Sequence, residues 1–580
     1  MALDLQAAKA RVVSQASIVY GRDQAEQLWD ELHPRLTAFS DQHPQWQAEP
    51  PGLKVDERDV LLITYGDQIH EPDQPPLRSL HRFVAERLGP LVSGIHLLPH
   101  YPYSSDDGFS VIDYRQVDPR LGSWADVEAL AADYRLMFDA VINHASAQGA
   151  WFRDFLAGVE PYDRFFIALD AQTDVESVYR PREHPLLTPF ESATIGTRHL
   201  WTTFSTDQID LDYQNPRVLV EVVDILLDYV AHGAELLRLD AVGLLYKELG
   251  TSCLHLPQTH AIVKLLRAVF DAVAPHVLLV PEINGPFEEN APYFGDGSDE
   301  AQLVYNFTLP PLTLHAFHAG TVEHLAAWLA TVKPPSPSCT YFNFLASHDG
   351  IGVRPAEPLL PAAGMALLAE RTEAHGGRVN YRRGPGGARC AYELCTTLYD
   401  GLTAPDDTID RGVARFGAAH AIMLCLQGVP GLYVHSLFGT PNWQEGLAQT
   451  GQNRTLNRRK HSVAELDELL ADETGRAGRC FATMRQLLTA RRAEPAFHPA
   501  AAQQIWPVHP GVLAVQRTAK AGHQVWCLTN VTDAKVSVSL AEAPVGDPVD
   551  LLTGKRVARL GASHRVELGP YEPLWLRWPR

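Results

Sequence analysis

The sequence predicts an α/β chain built on a (β/α)8 barrel, with two inserted loop domains, an N-terminal helical extension and a C-terminal antiparallel β domain. Three observations predict it. Eight short apolar runs recur between residues 60 and 434, longer helical patterns separate them, and short strands with turns take over after about residue 500. Uninterrupted apolar runs are what a parallel sheet covered on both faces requires, and eight of them suggest closure into a barrel.

The elements follow in order. Apolar residues at helical spacing around Ala25 to Phe39 predict a helical extension over 1–57, ended by Pro50-Pro51-Gly52. The first barrel part, 58–144, holds VLLITY (60–65), GIHLLP (94–99) and LMFDAVIN (136–143). Residues 145–205, rich in Pro and Phe, are too long for a simple crossover and read as an inserted domain. The middle part, 206–350, carries AELLRLDAV (234–242), HVLLVPEIN (276–284), QLVYNF (302–307) and TYFNFLASHD (340–349). A second insertion, 351–415, contains RRGPGGAR (382–389), and PGLYV (430–434) opens the barrel's end at 416–498. The last part, 499–580, alternates in the manner of a small antiparallel domain.

Composition narrows the function. The 580 residues carry 69 Asp plus Glu against 49 Lys plus Arg, a net charge of −20, so the surface repels nucleic acid and anionic membranes. Any anionic substrate then needs a local cluster of arginines. Seven Cys with no CxxC pair argue against a disulfide framework or zinc knuckle, and no signal-like or membrane-length apolar stretch occurs, which leads us to expect a cytoplasmic enzyme. The sequence has no HExxH, P-loop or Rossmann fingerprint, and we expect no cofactor and no catalytic metal.

Catalytic groups of such barrels sit at the C-terminal ends of strands, so polar residues closing apolar runs are the candidates. Four runs end this way: in His144, in Arg238-Leu239-Asp240, in Pro281-Glu282, and in His348-Asp349. A strand-end Asp alone is as readily a turn former or a helix cap. Three carboxylates converging with His and Arg fit glycoside chemistry, where one carboxylate attacks the anomeric carbon, a second protonates the leaving oxygen, and about 5–5.5 Å separates them for retention. Arg238, two residues before Asp240, shares its side of the strand and is expected to lower the pKa of the nucleophile. Glu282 is expected to be raised by neighbouring negative charge.

At these residues, DAVINH, LLRLDAVG, PEIN and ASHD, the chain resembles the α-amylase superfamily, glycoside hydrolase family 13. The resemblance implies Asp240 as nucleophile, Glu282 as acid/base and Asp349 as transition-state stabiliser, with His144, Arg238 and His348 around the glucose. That superfamily often binds Ca2+ through the Asn before the first-region His, which is Asn143 here, although no further ligands are evident in the sequence.

LITYGD (62–67), SSDDGFSVIDYRQVDPRLGSW (104–124), WTTFSTDQIDLDY (201–213), HDGIGV (348–353) and NRTLNR (453–458) look specifically like the sucrose phosphorylase subfamily. That similarity implies Asp106 and Arg458 clamping the distal hydroxyls, Phe109 and Phe204 walling the ring, and Gln208 as a polar contact. It further implies Arg182 and Tyr392 as phosphate contacts, with Glu393 on an acceptor loop. The expected reaction is reversible transfer of glucose from a small glucoside to phosphate through a covalent glucosyl-enzyme, giving α-glucose 1-phosphate. The long N-terminal extension and FNFLASHDGIGVRP (342–355) look more like members acting on glucosylglycerol or glucosylglycerate than like sucrose or sucrose 6-phosphate phosphorylases. Charge divides these two. Glu393 would accept from glycerol and repel glycerate, whereas Arg354, Arg382, Arg383 or Arg389 would attract glycerate, and the balance tips the expectation to 2-O-α-glucosylglycerol. The competing classes are a retaining glucosidase or transglucosidase, and a non-catalytic glycan-binding protein.

Overall fold

The computed structural model describes residues 5–48, 52–383, 389–544, 546–557 and 565–578. The Pro50-Pro51 break, the 384–388 tip of RRGPGGAR and the side chain of Arg383 lie outside the described residues.

Each of the eight apolar runs forms a strand. They are β1 (Leu61–Thr64), β2 (Gly94–Leu97), β3 (Arg135–Ala140), β4 (Ala234–Leu239), β5 (Leu278–Pro281), β6 (Leu303–Tyr305), β7 (Thr340–Asn343) and β8 (Val429–Tyr433). Nearly every residue in them is buried, which is why they read as continuous apolar runs rather than alternating ones. All seven ladders are parallel, and β1 pairs with both β2 and β8, so the sheet curls into a nearly closed barrel. The seam falls between β5 and β6, which lie side by side without sharing a ladder.

Amphipathic helices cover the outside. Pro216–Ala231 begins with the Asn215 side chain accepting from the Arg217 N–H and with Pro at the first helical position, so its orphan donors are met at the start. Pro257–Val273 follows β4. The β5–β6 connection departs from the helical spacer expected there: it holds one helical turn, Phe287–Asn290, and a 3-10 turn, Ala291–Phe294. That turn lies at the barrel mouth and contributes to the site below.

At the N-terminus α1 (Leu5–Tyr20) and α2 (Arg22–Gln42) form a hairpin. Leu28, Trp29, Leu32, Leu36 and Phe39 of α2 are buried at helical spacing, against Pro216–Ala231 and Pro257–Val273. The segment after β3 holds the helix Ala150–Ala157 and a three-stranded antiparallel sheet. After β7 come another three-stranded antiparallel sheet, including Arg378–Arg383 and Arg389–Cys395, and the helix Ala362–Ala374. The C-terminal strands form antiparallel sheets of five and two. Among the described residues no helix is long and apolar enough to cross a membrane.

Candidate active site

A pocket of about 790 Å3 opens at the C-terminal ends of the barrel strands. Asp240 and Glu282 are the residues immediately after β4 and β5, so the strands themselves aim them into it. Asp349 follows β7, and Asp106, Phe109, His144, Phe204, Gln208, His348, Arg182 and Tyr392 also line the pocket. Eleven of the fourteen expected site residues therefore meet there; Arg238, Arg458 and Glu393 stand behind its wall.

Arg238 ties the carboxylates together. Its guanidinium donates to Asp240 Oδ1 at 2.8 Å, lies 3.8 Å from Glu282 Oε1, and is ion-paired with Asp139 on the neighbouring strand. One guanidinium spans Asp240 and Glu282, a compact arrangement of the kind retaining chemistry uses. His96 Nε2 lies 2.7 Å from Asp139 Oδ2, so a buried row of His96, Asp139 and Arg238 crosses β2, β3 and β4 beneath Asp240. Ala241, next after Asp240, is left-handed (φ 48°), and its N–H donates to Glu282 Oε2 at 3.0 Å.

Burial overrides one expectation. Arg238 does pull the Asp240 pKa down, yet burial, with Asp139 and Asp349, raises it to about 6. Glu282 is raised to about 7, first by burial and then by the charges of Asp240 and Asp349. Burial pushes Asp349 up too, but Arg454, Arg458 and Arg238 outweigh it and hold this carboxyl below its ordinary value. The pocket thus contains one acid poised to hold a proton and one carboxylate kept ionised.

The expected glucose ligands form one linked wall. Gln208 Nε2 contacts Phe109 O (3.1 Å), His144 Nε2 (3.2 Å) and Asp106 (3.4 Å), and His348 stacks on Phe109 at 4.9 Å. Arg458 pairs with Asp107 at 2.6 Å rather than with Asp106, which is 4.0 Å away. Tyr179, Arg182, Asn284, His255, Arg354 and Tyr392 line the pocket as a second, more cationic group. Arg182 lies over Tyr392 (5.6 Å) and forms no ion pair among the described residues.

Glu393 is the clearest departure from the sequence-based expectation. It is fully buried, does not line the pocket, and accepts from Arg454 (2.8 and 3.2 Å), Asn380 (2.9 Å) and the Gly350 N–H (3.2 Å). Its charge is consumed by Arg454, whose Nη1 reaches Asp349 at 2.6 Å. A carboxylate so paired neither greets glycerol nor repels glycerate. Arg454 lines the pocket and was the arginine overlooked in NRTLNR. Of the arginines weighed for glycerate, Arg354 lines the pocket; Arg382, which pairs with Glu357 (2.8 Å), and Arg389, which lies on Tyr381 (3.7 Å), do not.

The Ca2+ question is answered by Lys247. Its Nζ lies 2.8 Å from Asn143 Oδ1 and 2.8 Å from Asp210 Oδ2, all three residues being buried. Asp210 also accepts from Thr203 N (2.8 Å) and Thr203 Oγ1 (2.7 Å). An ammonium with these two oxygens fills the space a metal would need, and Ca2+ asks for about 6–8 oxygen ligands. The residues present do not fit the ion. Among the described residues there is no group of three or more His, Cys, Asp or Glu placed to hold a metal.

A profile of the α-amylase catalytic domain matches residues 87–350. The glucosylglycerate phosphorylase of Allomeiothermus silvanus is 51% identical over 522 residues, 90% of this chain and 91% of that one. The chain belongs to the sucrose phosphorylase-like subfamily of glycoside hydrolase family 13. Within this subfamily the glucosylglycerol phosphorylase of Marinobacter adhaerens is 30% identical, over 70% of this chain and 83% of that one. The crystal structure of sucrose 6F-phosphate phosphorylase from Thermoanaerobacter thermosaccharolyticum superposes with a TM-score of 0.73 at 22% identity, covering 86% of this chain and 97% of that one. Membership in the subfamily makes the chain an enzyme of the glycoside phosphorylase class.

Proposed function

We propose that this enzyme is a retaining α-glucoside phosphorylase that exchanges glucose between 2-O-α-glucosylglycerate and phosphate. In the first half-reaction an Asp240 oxygen attacks the anomeric carbon while Glu282 gives its proton to the departing glycerate oxygen. Phosphate then attacks the glucosyl-enzyme, the C1–Asp240 bond breaks, and the phosphate proton returns to Glu282, leaving α-glucose 1-phosphate. Asp349, held ionised by arginines, stabilises the cationic charge at C1 in both steps. Asp106, Phe109, His144, Phe204, Gln208 and His348 hold the glucose, with Arg238 and Arg458 supporting from behind. The inserted segments 145–205 and 351–415 supply Arg182 and Tyr392 for phosphate.

The observation that carries the choice of glycerate is the cationic lining of the pocket: Arg182 has no ion-pair partner among the described residues, and Arg354 lines the same pocket with donors left over beyond its pair with Glu289, while Glu393 is buried against Arg454 and does not line it. An anionic acceptor and a phosphate dianion both require such a lining. The relatives weigh the same way, since the glucosylglycerate phosphorylase is far more similar to this chain than the glucosylglycerol enzyme. Glycerol, favoured by the sequence reading, rested on a repulsion that the buried Glu393–Arg454 pair removes.

Incubation with α-glucose 1-phosphate and, in turn, D-glycerate, glycerol, fructose, fructose 6-phosphate or water alone tests the reading. Phosphate release fastest with glycerate is the expected result. Release at the water rate throughout would sink the phosphorylase reading in favour of a hydrolase, and fastest release with glycerol would restore the other acceptor.

A further inference from the structure

Arg354, on the wall of the pocket, is held by side chains that the transfer chemistry itself does not use. Glu289, on the single turn Phe287–Asn290, accepts from both terminal nitrogens of Arg354, at 2.7 and 2.5 Å. Behind it His255 Nε2 lies 3.2 Å from the same carboxylate, and His255 Nδ1 lies 3.0 Å from the Tyr293 hydroxyl. The guanidinium of Arg354 also lies 5.1 Å from the Tyr179 ring. Arg354 and His255 both line the pocket; Glu289 sits between them.

The backbone is cut away to admit this group. A Cβ on Gly285 would meet Glu289 Oε2 at 2.6 Å and Arg354 Nη1 at 2.7 Å, and one on Gly243 would meet the His255 ring at 2.7 Å. Two glycines thus leave room for a fork-to-fork ion pair at the pocket edge. A bidentate carboxylate fixes both the position and the plane of a guanidinium, which otherwise swings on a flexible stem. The donors that Glu289 leaves unused on Arg354 then have one orientation.

We propose that Glu289, braced by His255, is a positioning residue that sets Arg354 to read the carboxylate of a small 2-hydroxy acid acceptor. The inference rests on the glycerate reading above and adds the device that makes it selective. Glycerol has the same carbon skeleton but no carboxylate, so it gains nothing from an oriented Arg354. The acceptor class is therefore set by an ion pair one layer away from the acceptor itself.

The test measures kcat and KM for D-glycerate and for glycerol, with α-glucose 1-phosphate as donor, alongside phosphate release to water. Glu289→Gln, which keeps the shape and removes the charge, is expected to raise KM for glycerate about tenfold while kcat stays within about twofold. Glu289→Asp should recover part of that loss. Arg354→Gln should raise KM for glycerate about 100-fold, and adding Glu289→Gln to it should change little more, because the two act as one unit. Release to water reports whether each variant is folded. Equal effects of Glu289→Gln on glycerate and glycerol would reduce the residue to a structural prop and overturn the proposal, as would an unchanged KM for glycerate in either single variant. A wild-type enzyme that does not use glycerate at all would overturn the acceptor reading itself, before any variant is made.

Discussion

Replacing Lys247 with Met removes one charge from the floor of the site while nearly preserving volume. The ammonium lies 2.8 Å from both Asn143 Oδ1 and Asp210 Oδ2, and Asp210 has no exposure to water. Breaking a buried pair costs about 3–5 kcal/mol, chiefly because the remaining charge is stranded. Asp210 keeps its bonds from Thr203 and Asn143, so the lower end, about 3 kcal/mol, applies. At roughly 2.1 cal/mol/K per residue the entropy of unfolding the whole chain is about 1.2 kcal/mol/K, so Tm should fall by about 2–3 °C. The consequence for activity runs through His144, the next residue after Asn143 and the register partner of Asp210, whose ring lines the pocket. We expect kcat/KM for glucose 1-phosphate to fall about tenfold. Differential scanning calorimetry and initial rates, each with and without EDTA and Ca2+, measure both effects. EDTA should leave the wild type unchanged. A chelator that inactivates the wild type, or a Met variant as stable and as active as the parent, would refute the assignment of Lys247 as the built-in cation.

Activity should follow a bell, rising as Asp240 ionises near pH 6 and falling as Glu282 loses its proton near pH 7; an optimum above pH 9 would contradict these assignments. Stability carries the opposite sign of the usual carboxylate: with folded pKa values of about 6 and about 7 above the unfolded ones, the two groups cost the fold nothing below about pH 4, and the penalty accumulates between there and about pH 7, above which it is complete. Glu282→Gln should therefore be more stable than the wild type at pH 8, by on the order of 2 kcal/mol, and no more stable at pH 4, as urea unfolding at the two pH values will report. Asp240→Asn should lower turnover by at least about 1,000-fold in a single-turnover assay with α-glucosyl fluoride. Arg454→Gln should destabilise by about 3–5 kcal/mol by stranding Glu393, and the double variant with Glu393→Gln should regain stability but not activity. Recovery of both would show that Arg454 serves packing alone.

The barrel was legible because burial on both faces of a strand writes itself into composition: every predicted apolar run overlaps a barrel strand. The strand-end residues were legible for a related reason, since Asp240 and Glu282 interrupt apolar runs at the position where the chain leaves the sheet. What could not be read were pairings between distant residues. Glu393 looks free in sequence, but its partner Arg454 lies 61 positions away. Glu289 and Arg354 are 65 apart, and Lys247 and Asn143 are 104 apart. The Asp240 pKa was misjudged because the neighbour in sequence, Arg238, was visible while the depth of burial was not. The missing helix after β5 escaped notice because Phe287, Tyr293 and Phe294 supply apolar residues without supplying helix length.

That abbreviated connection bears on how such an enzyme changes its diet. A full crossover helix must match the sheet beneath it along several turns, so its residues are constrained by shape everywhere. A four-residue turn has few such obligations, and Phe287–Asn290 holds Glu289 at the mouth while the strands keep Asp240 and Glu282 in place. Substitutions there can redraw the rim without disturbing the strands beneath it. A change at this turn then alters what the rim accepts while the strands go on holding Asp240 and Glu282 as before.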